Sequence, residues 1–228
     1  MPRQMPRFDR HLQRQSQLAS EIVKAGERAR IGWICSTHPS TATDQEWESG
    51  KTLWTVQKIE SLYELAYLRV FSLWESTLES IFYRTLCGYN LSYGKETLVC
   101  GQYFRTLAQA EAAVLGTHQF TLWHSQWRNI QRCQQFIRSN PGDPAKMETV
   151  LSSRRTLLDW MSAIRHRIAH DQQNDAHHKF ESATRGLVGM TYHTPGRFLR
   201  EWDTTASTPR RRLDWAIDEL VSLASQIV

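Results

Sequence analysis

The sequence predicts an all-α fold, a bundle of helices in a single domain spanning residues 1–228. Three observations carry that prediction. Apolar residues recur every three or four positions over several long stretches, which is the period of a half-buried helix. The breaks between those stretches hold helix-ending or turn-forming residues, such as Cys87-Gly88 and Asn140-Pro141-Gly142-Asp143-Pro144. Only one region reads otherwise, a short strand over Leu187–Tyr192 or a hairpin near 187–198. Of the 228 residues, 40% are hydrophobic and 11% aromatic, enough to fill a sizeable core, and nine are Trp.

In chain order, residues 5–31 predict a first helix with a loose stripe of Phe8, Leu12, Leu18, Ile22, Val23 and Ala29. Residues 31–50 read as loop, since Ser36–Asp44 is polar and turn-rich. The helix and loop of residues 1–50 are expected to pack on the remainder. Thr52–Leu86 is the longest periodic segment. Val56, Ile59, Leu62, Ala66, Val70, Leu73, Thr77 and Ile81 form one row. Tyr63, Tyr67, Phe71, Trp74, Leu78 and Phe82 run beside it, so the apolar face is wide and the helix central. Gly88 stops it. Leu91–Gly101 reads as a connector, Gln102–Leu115 as a short helix ended by Gly116, and Phe120–Arg138 as another helix. Asp143 and Pro144 then suit the cap and first position of a helix over 144–171. Thr208 and Pro209 open a last helix striped by Leu213, Ala216, Ile217, Leu220, Leu223 and Ile227.

The helix over 144–171 carries the candidate chemistry. Leu157, Met161, Ile164 and Ile168 form its apolar stripe. At about 100° per residue, His166 and His170 fall roughly 160° from Ile168, and Arg165 falls about 60° from it. One face is therefore buried while another offers a guanidinium and two imidazoles. A histidine can give or take a proton near neutral pH. An arginine can hold a phosphate bidentately and stays charged. Arg165 and His170 diverge by about 140° on a straight helix, so one copy makes a poor site and two facing helices a better one. The same cations would also suit a helix C-terminus with no chemical role.

Arg165-His166-Arg167-Ile168-Ala169-His170 resembles the R-x4-H signature of HEPN domains, with a polar residue after the Arg and a position near the end of a long helix. Arg69–Glu79 also resembles the first long helix of some bacterial stand-alone HEPN proteins. The resemblance implies a HEPN-like bundle working as a homodimer, in which two protomers bring their motifs together. Many such proteins are metal-independent endoribonucleases. It further implies that His170 transfers protons, that Arg165 clamps phosphate, and that His166 orients or assists. In HEPN toxins controlled by a nucleotidyltransferase antitoxin, a Tyr two residues after the His receives nucleotidyl groups; here that position is Gln172, which departs from that control mechanism.

The formal charge of +5 and pI of about 9.2 suit a polyanionic partner. Arg167, Arg154, Arg155 and Lys179 are the candidate RNA-binding residues, and Arg197, Arg200 and Arg210-Arg211-Arg212 are further basic positions for a phosphate track. A metal site is not expected. His166 and His170 have H-x-x-x-H spacing, and His177 and His178 lie nearby, but Arg167 stands where a zinc hydrolase needs Glu. His177-His178-Lys179 reads as a solvated face able to help hold RNA. No cofactor is expected, because no phosphate-cradling glycine loop and no G-x-S-x-G is present. Cys35, Cys87, Cys100 and Cys133 lack C-x-x-C spacing, and the expectation is buried thiols in a reducing cytoplasm. No run approaches 18 apolar residues, and Met1–Arg14 lacks the apolar core of a secretory signal. The expected protein is a cytoplasmic, metal-independent endoribonuclease of toxin–antitoxin or phage-defence type, with RNA as substrate and an antitoxin protein as a candidate partner. The alternative is a non-catalytic helical module of the same kind that binds RNA or a protein.

Overall fold

A computed structural model describes residues 3–35, 52–90, 103–117, 146–204 and 207–227, with single positions at 43, 45 and 49. Eight helices and two two-residue strand pairs lie among the described residues. In order these are β1 (Arg3–Gln4), α1 (Phe8–Cys35), α2 (Val56–Leu86), β2 (Tyr89–Asn90), α3 (Leu107–Thr117), α4 (Lys146–Ser153), α5 (Arg155–Ala169), α6 (Asn174–Val188), α7 (Pro195–Arg200), β3 (Trp202–Asp203), β4 (Arg210–Arg211) and α8 (Arg212–Ile227). The all-α expectation holds. The expected helices over 120–138 and 144–145, and the caps at Asp143 and Pro144, fall outside the described residues. No described helix is long and apolar enough to cross a membrane.

The chain forms two compact units, each assembled from separated segments. The first comprises residues 1–14, 71–159 and 218–228, and the second residues 15–70 and 160–217.

In the first unit, the second half of α2 buries Phe71, Trp74, Leu78, Ile81, Phe82 and Leu86. This is the Phe71–Trp74–Leu78–Phe82 row of the sequence, and Phe71 and Trp74 meet at 5.5 Å between ring centroids. Gly88 takes φ +73°, and its amide donates to the Thr85 carbonyl at 3.0 Å, so the expected stop is in place. Cys87, expected in the core, is half-buried at this helix end. β1 pairs in parallel with β2, which ties Arg3–Gln4 to the segment after α2. Helix α3 starts at Leu107 rather than at 102, because the Thr106 hydroxyl caps it by accepting the Gln109 amide at 3.2 Å. It also runs through Gly116 to Thr117, so that glycine does not end it. The expected helix over 144–171 is broken at Arg154, giving α4 and α5. Leu151 and Leu158 are fully buried on either side of the break.

In the second unit, Ile59, Tyr63, Tyr67 and Val70 of α2 are buried together with Met161 and Ile164 of α5. The Tyr67 hydroxyl donates to the Met161 carbonyl at 2.8 Å. Helix α1 extends to Cys35, past the residue-31 boundary the sequence suggests. It buries Ala19, Val23 and the small polar Ser16 and Ser20, while Leu18 and Ile22 are exposed. Ser20 donates to the Asp214 carboxylate at 2.5 Å.

The strand expected over 187–192 is absent. Leu187 and Val188 complete α6, whose buried Ala176, Phe180, Ala183 and Thr184 keep helical spacing. Gly189 ends it at φ +72°, with its amide donating to the Arg185 carbonyl at 2.9 Å. Pro195 then opens α7 at its first turn. The hairpin expected near 187–198 is displaced to β3 and β4, an antiparallel pair matching Trp202 with Arg211 and Asp203 with Arg210. That pairing also moves the start of the last helix from Thr208 to Arg212, because Arg210 and Arg211 are extended and Pro209 precedes them.

Candidate active site at the end of α5

Helix α5 lays down the motif much as its periodicity requires. Met161 and Ile164 are fully buried; Leu158 takes the third core position, while Leu157 and Ile168 are half-buried. The helix ends at Ala169, so His170 is the first residue past it, although its amide still donates to the His166 carbonyl at 2.9 Å. That bond keeps the one-turn offset and brings the two imidazoles face to flank, 4.6 Å between centroids at 51°. His170 is exposed and His166 half-buried. The His166 pKa lies below its ordinary value of 6.5. Burial is the main cause, followed by His170, Lys179 and Arg165, with Asp175 acting the other way.

Arg165 lies at the flank of the buried stripe. Its Nε is buried and has no hydrogen-bond partner among the described residues. Arg167 and Arg212 share this feature, and with Nε enclosed any anion held by Arg165 would meet its terminal nitrogens.

The other candidate cations are more committed. Arg167 folds back over the helix end, donating to the Asp171 carbonyl at 2.6 Å and to the Asp171 carboxylate, and its side chain is only 12% exposed. It serves as a C-terminal cap before it can serve RNA. Lys179 pairs with Asp175 at 2.6 Å on the open face of α6, and hydrogen bonding from Lys179 lowers the Asp175 pKa. Two such exposed groups hold each other weakly, so Lys179 can exchange its partner for a phosphate. Arg154 and Arg155 belong to the first unit; both are exposed, and Arg155 reaches Asp159 only at 4.0 Å.

The remaining basic positions serve the fold. Arg212 is buried, its guanidinium 4.9 Å from the ring centroids of both Tyr192 and Phe198 and 3.4 Å from the Glu201 carboxylate. Arg211 lies over Trp202 at 4.1 Å and donates to the Arg200 carbonyl. Arg200 pairs with Glu27 at 2.6 Å, Arg210 with Asp203 at 3.4 Å, and Arg197 with Glu201 at 3.3 Å.

Three groups near the motif come from elsewhere in the chain. Asp175 and Lys179 on α6 contribute to the field at His166. Glu64 on α2 accepts the Gly196 amide at 2.8 Å. Burial raises its pKa, with Asp171 adding to the effect and Arg167 opposing it. None is readable from the motif, because each reaches it through tertiary packing.

The chain matches no family model, no curated protein and no solved structure.

Proposed function

We propose that this protein is a metal-independent endoribonuclease of the HEPN kind, acting as a homodimer in toxin–antitoxin or phage-defence biology. The observation that carries the reading is the His166–His170 pair, 4.6 Å apart at an open helix end beside a guanidinium with an unpartnered Nε. The chemistry needs a base, an acid and a cation. A neutral imidazole removes the proton from a ribose 2′-OH as its oxygen attacks the adjacent phosphorus. A protonated imidazole gives a proton to the departing 5′-oxygen, leaving a 2′,3′-cyclic phosphate and a 5′-OH. Arg165 stabilises the charge that gathers on the phosphoryl oxygens. Two neighbouring rings resist being charged together, so the doubly protonated pair is disfavoured. The depressed pKa of His166 supports giving it the neutral state. His170, exposed at the chain's turn, is then the ring positioned to meet a leaving group.

The test is cleavage of RNA with a chelator present, wild type against His170→Ala. Loss of at least about 100-fold in kcat/KM is expected. Unchanged cleavage by the variant would remove His170 from the chemistry. The other reading, a binding module without catalysis, draws on Asp171 and Asp175, whose carboxylates occupy Arg167 and Lys179. RNA retained at equilibrium with no cleavage at any protein concentration would select that reading.

A further inference from the structure

A second cluster of chemically active side chains lies on α6 and in the turn that follows it. His177 and Glu181 are four residues apart on α6, and His193 stands in the turn between α6 and α7. Glu181 Oε1 is 3.1 Å from His177 Nε2 and 3.0 Å from His193 Nδ1. The two imidazoles are nearly parallel, 16° apart, with centroids at 6.1 Å. One ligand atom from each residue lies within 4.8 Å of the others.

From this geometry we propose that His177, Glu181 and His193 bind one zinc ion, with the remaining coordination position open to water. Zinc bonds of 2.0–2.1 Å in a tetrahedral arrangement place ligand atoms roughly 3.4 Å apart, so two of the three separations need only widen by a few tenths of an ångström. A dication between the three groups would take one lone pair from each, with both imidazoles bound in their neutral form. His193 is 78% exposed and His177 36%, which leaves the outer side open to solvent. Three protein ligands with an open position is an arrangement zinc accepts readily, and His₂Glu is among its ligand sets.

The surroundings suit such an ion. Of the cations on α6, Lys179 is paired with Asp175 at 2.6 Å, and Arg185 is turned onto the Thr191 hydroxyl, donating from Nε at 3.4 Å and from Nη2 at 3.2 Å. The turn is already held by the Tyr192 amide donating to Thr184 Oγ1 at 3.2 Å. His193 therefore starts close to its bound position and little ordering is left for the metal to impose. The sequence-level expectation of no metal rested on the spacing of His166 and His170 and on histidines adjacent in the chain. His193 joins the set only because Gly189 ends α6 and returns the chain past Glu181.

The experiment is titration of the metal-stripped full-length protein with zinc against a chromophoric chelator, followed by cobalt(II) substitution to read the coordination by its visible bands. One equivalent of zinc per chain is expected, with cobalt bands typical of four or five ligands. His193→Ala should weaken binding by more than about 100-fold, and at 78% exposure the substitution removes no core packing. His170→Ala should leave binding unchanged, which separates this cluster from the His166–His170 pair. Absence of stoichiometric zinc, or zinc binding that survives His193→Ala, or binding lost on His170→Ala, would each overturn the proposal.

Discussion

His166 couples the fold to pH. Its folded pKa lies below 6.5, so the unfolded chain binds a proton before the folded one as pH falls. The associated stability is present above about 6.5 and is lost as pH drops through the lower folded value. His166→Gln removes that dependence. Denaturant midpoints of the variant should change less than those of wild type between about pH 7.5 and 5; parallel acid limbs for the two proteins would show that this ring does not titrate as described. Glu64 runs in the opposite sense. Its raised pKa favours the protonated form in the folded state, so its contribution is greatest at low pH and is lost as pH rises through the folded value. The two groups oppose each other in the pH profile, which is why the His166 variant, and not the wild-type curve alone, is the informative measurement.

At the scale of elements, two glycines separate steric from conformational cost. A Cβ on Gly196 would lie 2.5 Å from the Glu60 carbonyl oxygen, a backbone atom of α2 that cannot move without moving the helix. Gly196→Ala should cost about 1–3 kcal/mol through forced displacement. Gly189 has nothing within 4 Å of a Cβ but sits at φ +72°. Gly189→Ala should cost roughly 1 kcal/mol from backbone strain alone. Chemical denaturation of both variants checks the order; Gly189→Ala as the more damaging change would contradict it. The same scale shows what the sequence could convey. The stripe of α8 was fully readable, since Leu213, Ala216, Ile217, Leu220, Leu223 and Ile227 are strong hydrophobes and all are buried. In α1 the buried row is largely Ser16, Ala19, Ser20 and Val23, and small or hydroxylated residues carry little apolar signal beside the conspicuous but exposed Leu18 and Ile22. Helix α6 was hidden for a similar reason: its first turns are polar, so Leu187–Tyr192 stood out as if it were an isolated apolar run. Within the candidate site, Arg165, His166 and His170 could be placed by helical spacing because they share one element. Lys179 was legible as part of the basic His177-His178-Lys179 run, whereas Glu64 and His193 reach their neighbourhoods through tertiary packing, which no local pattern encodes.

For the whole molecule, the proposal rests on two chains supplying one pocket. One chain presents Arg165 and His166 on α5 and His170 just past its end, and Arg167 is turned to capping that helix end. Arg165 and His170 diverge by about 140° around the helix, so a second copy is the simplest way to set a guanidinium opposite the imidazoles of one pocket. That makes activity a property of the pair, and it makes a chain with a silenced motif able to disable a competent partner. The direct measurement is RNA cleavage, in chelator, by purified differently tagged heterodimers that join one wild-type chain to one Arg165→Ala/His170→Ala chain. A pooled pocket predicts activity below about one tenth of the wild-type dimer, given the 10²–10⁴-fold weight of positioned acid–base groups. Retention of half the wild-type activity would mean that each chain works alone, and would contradict the account.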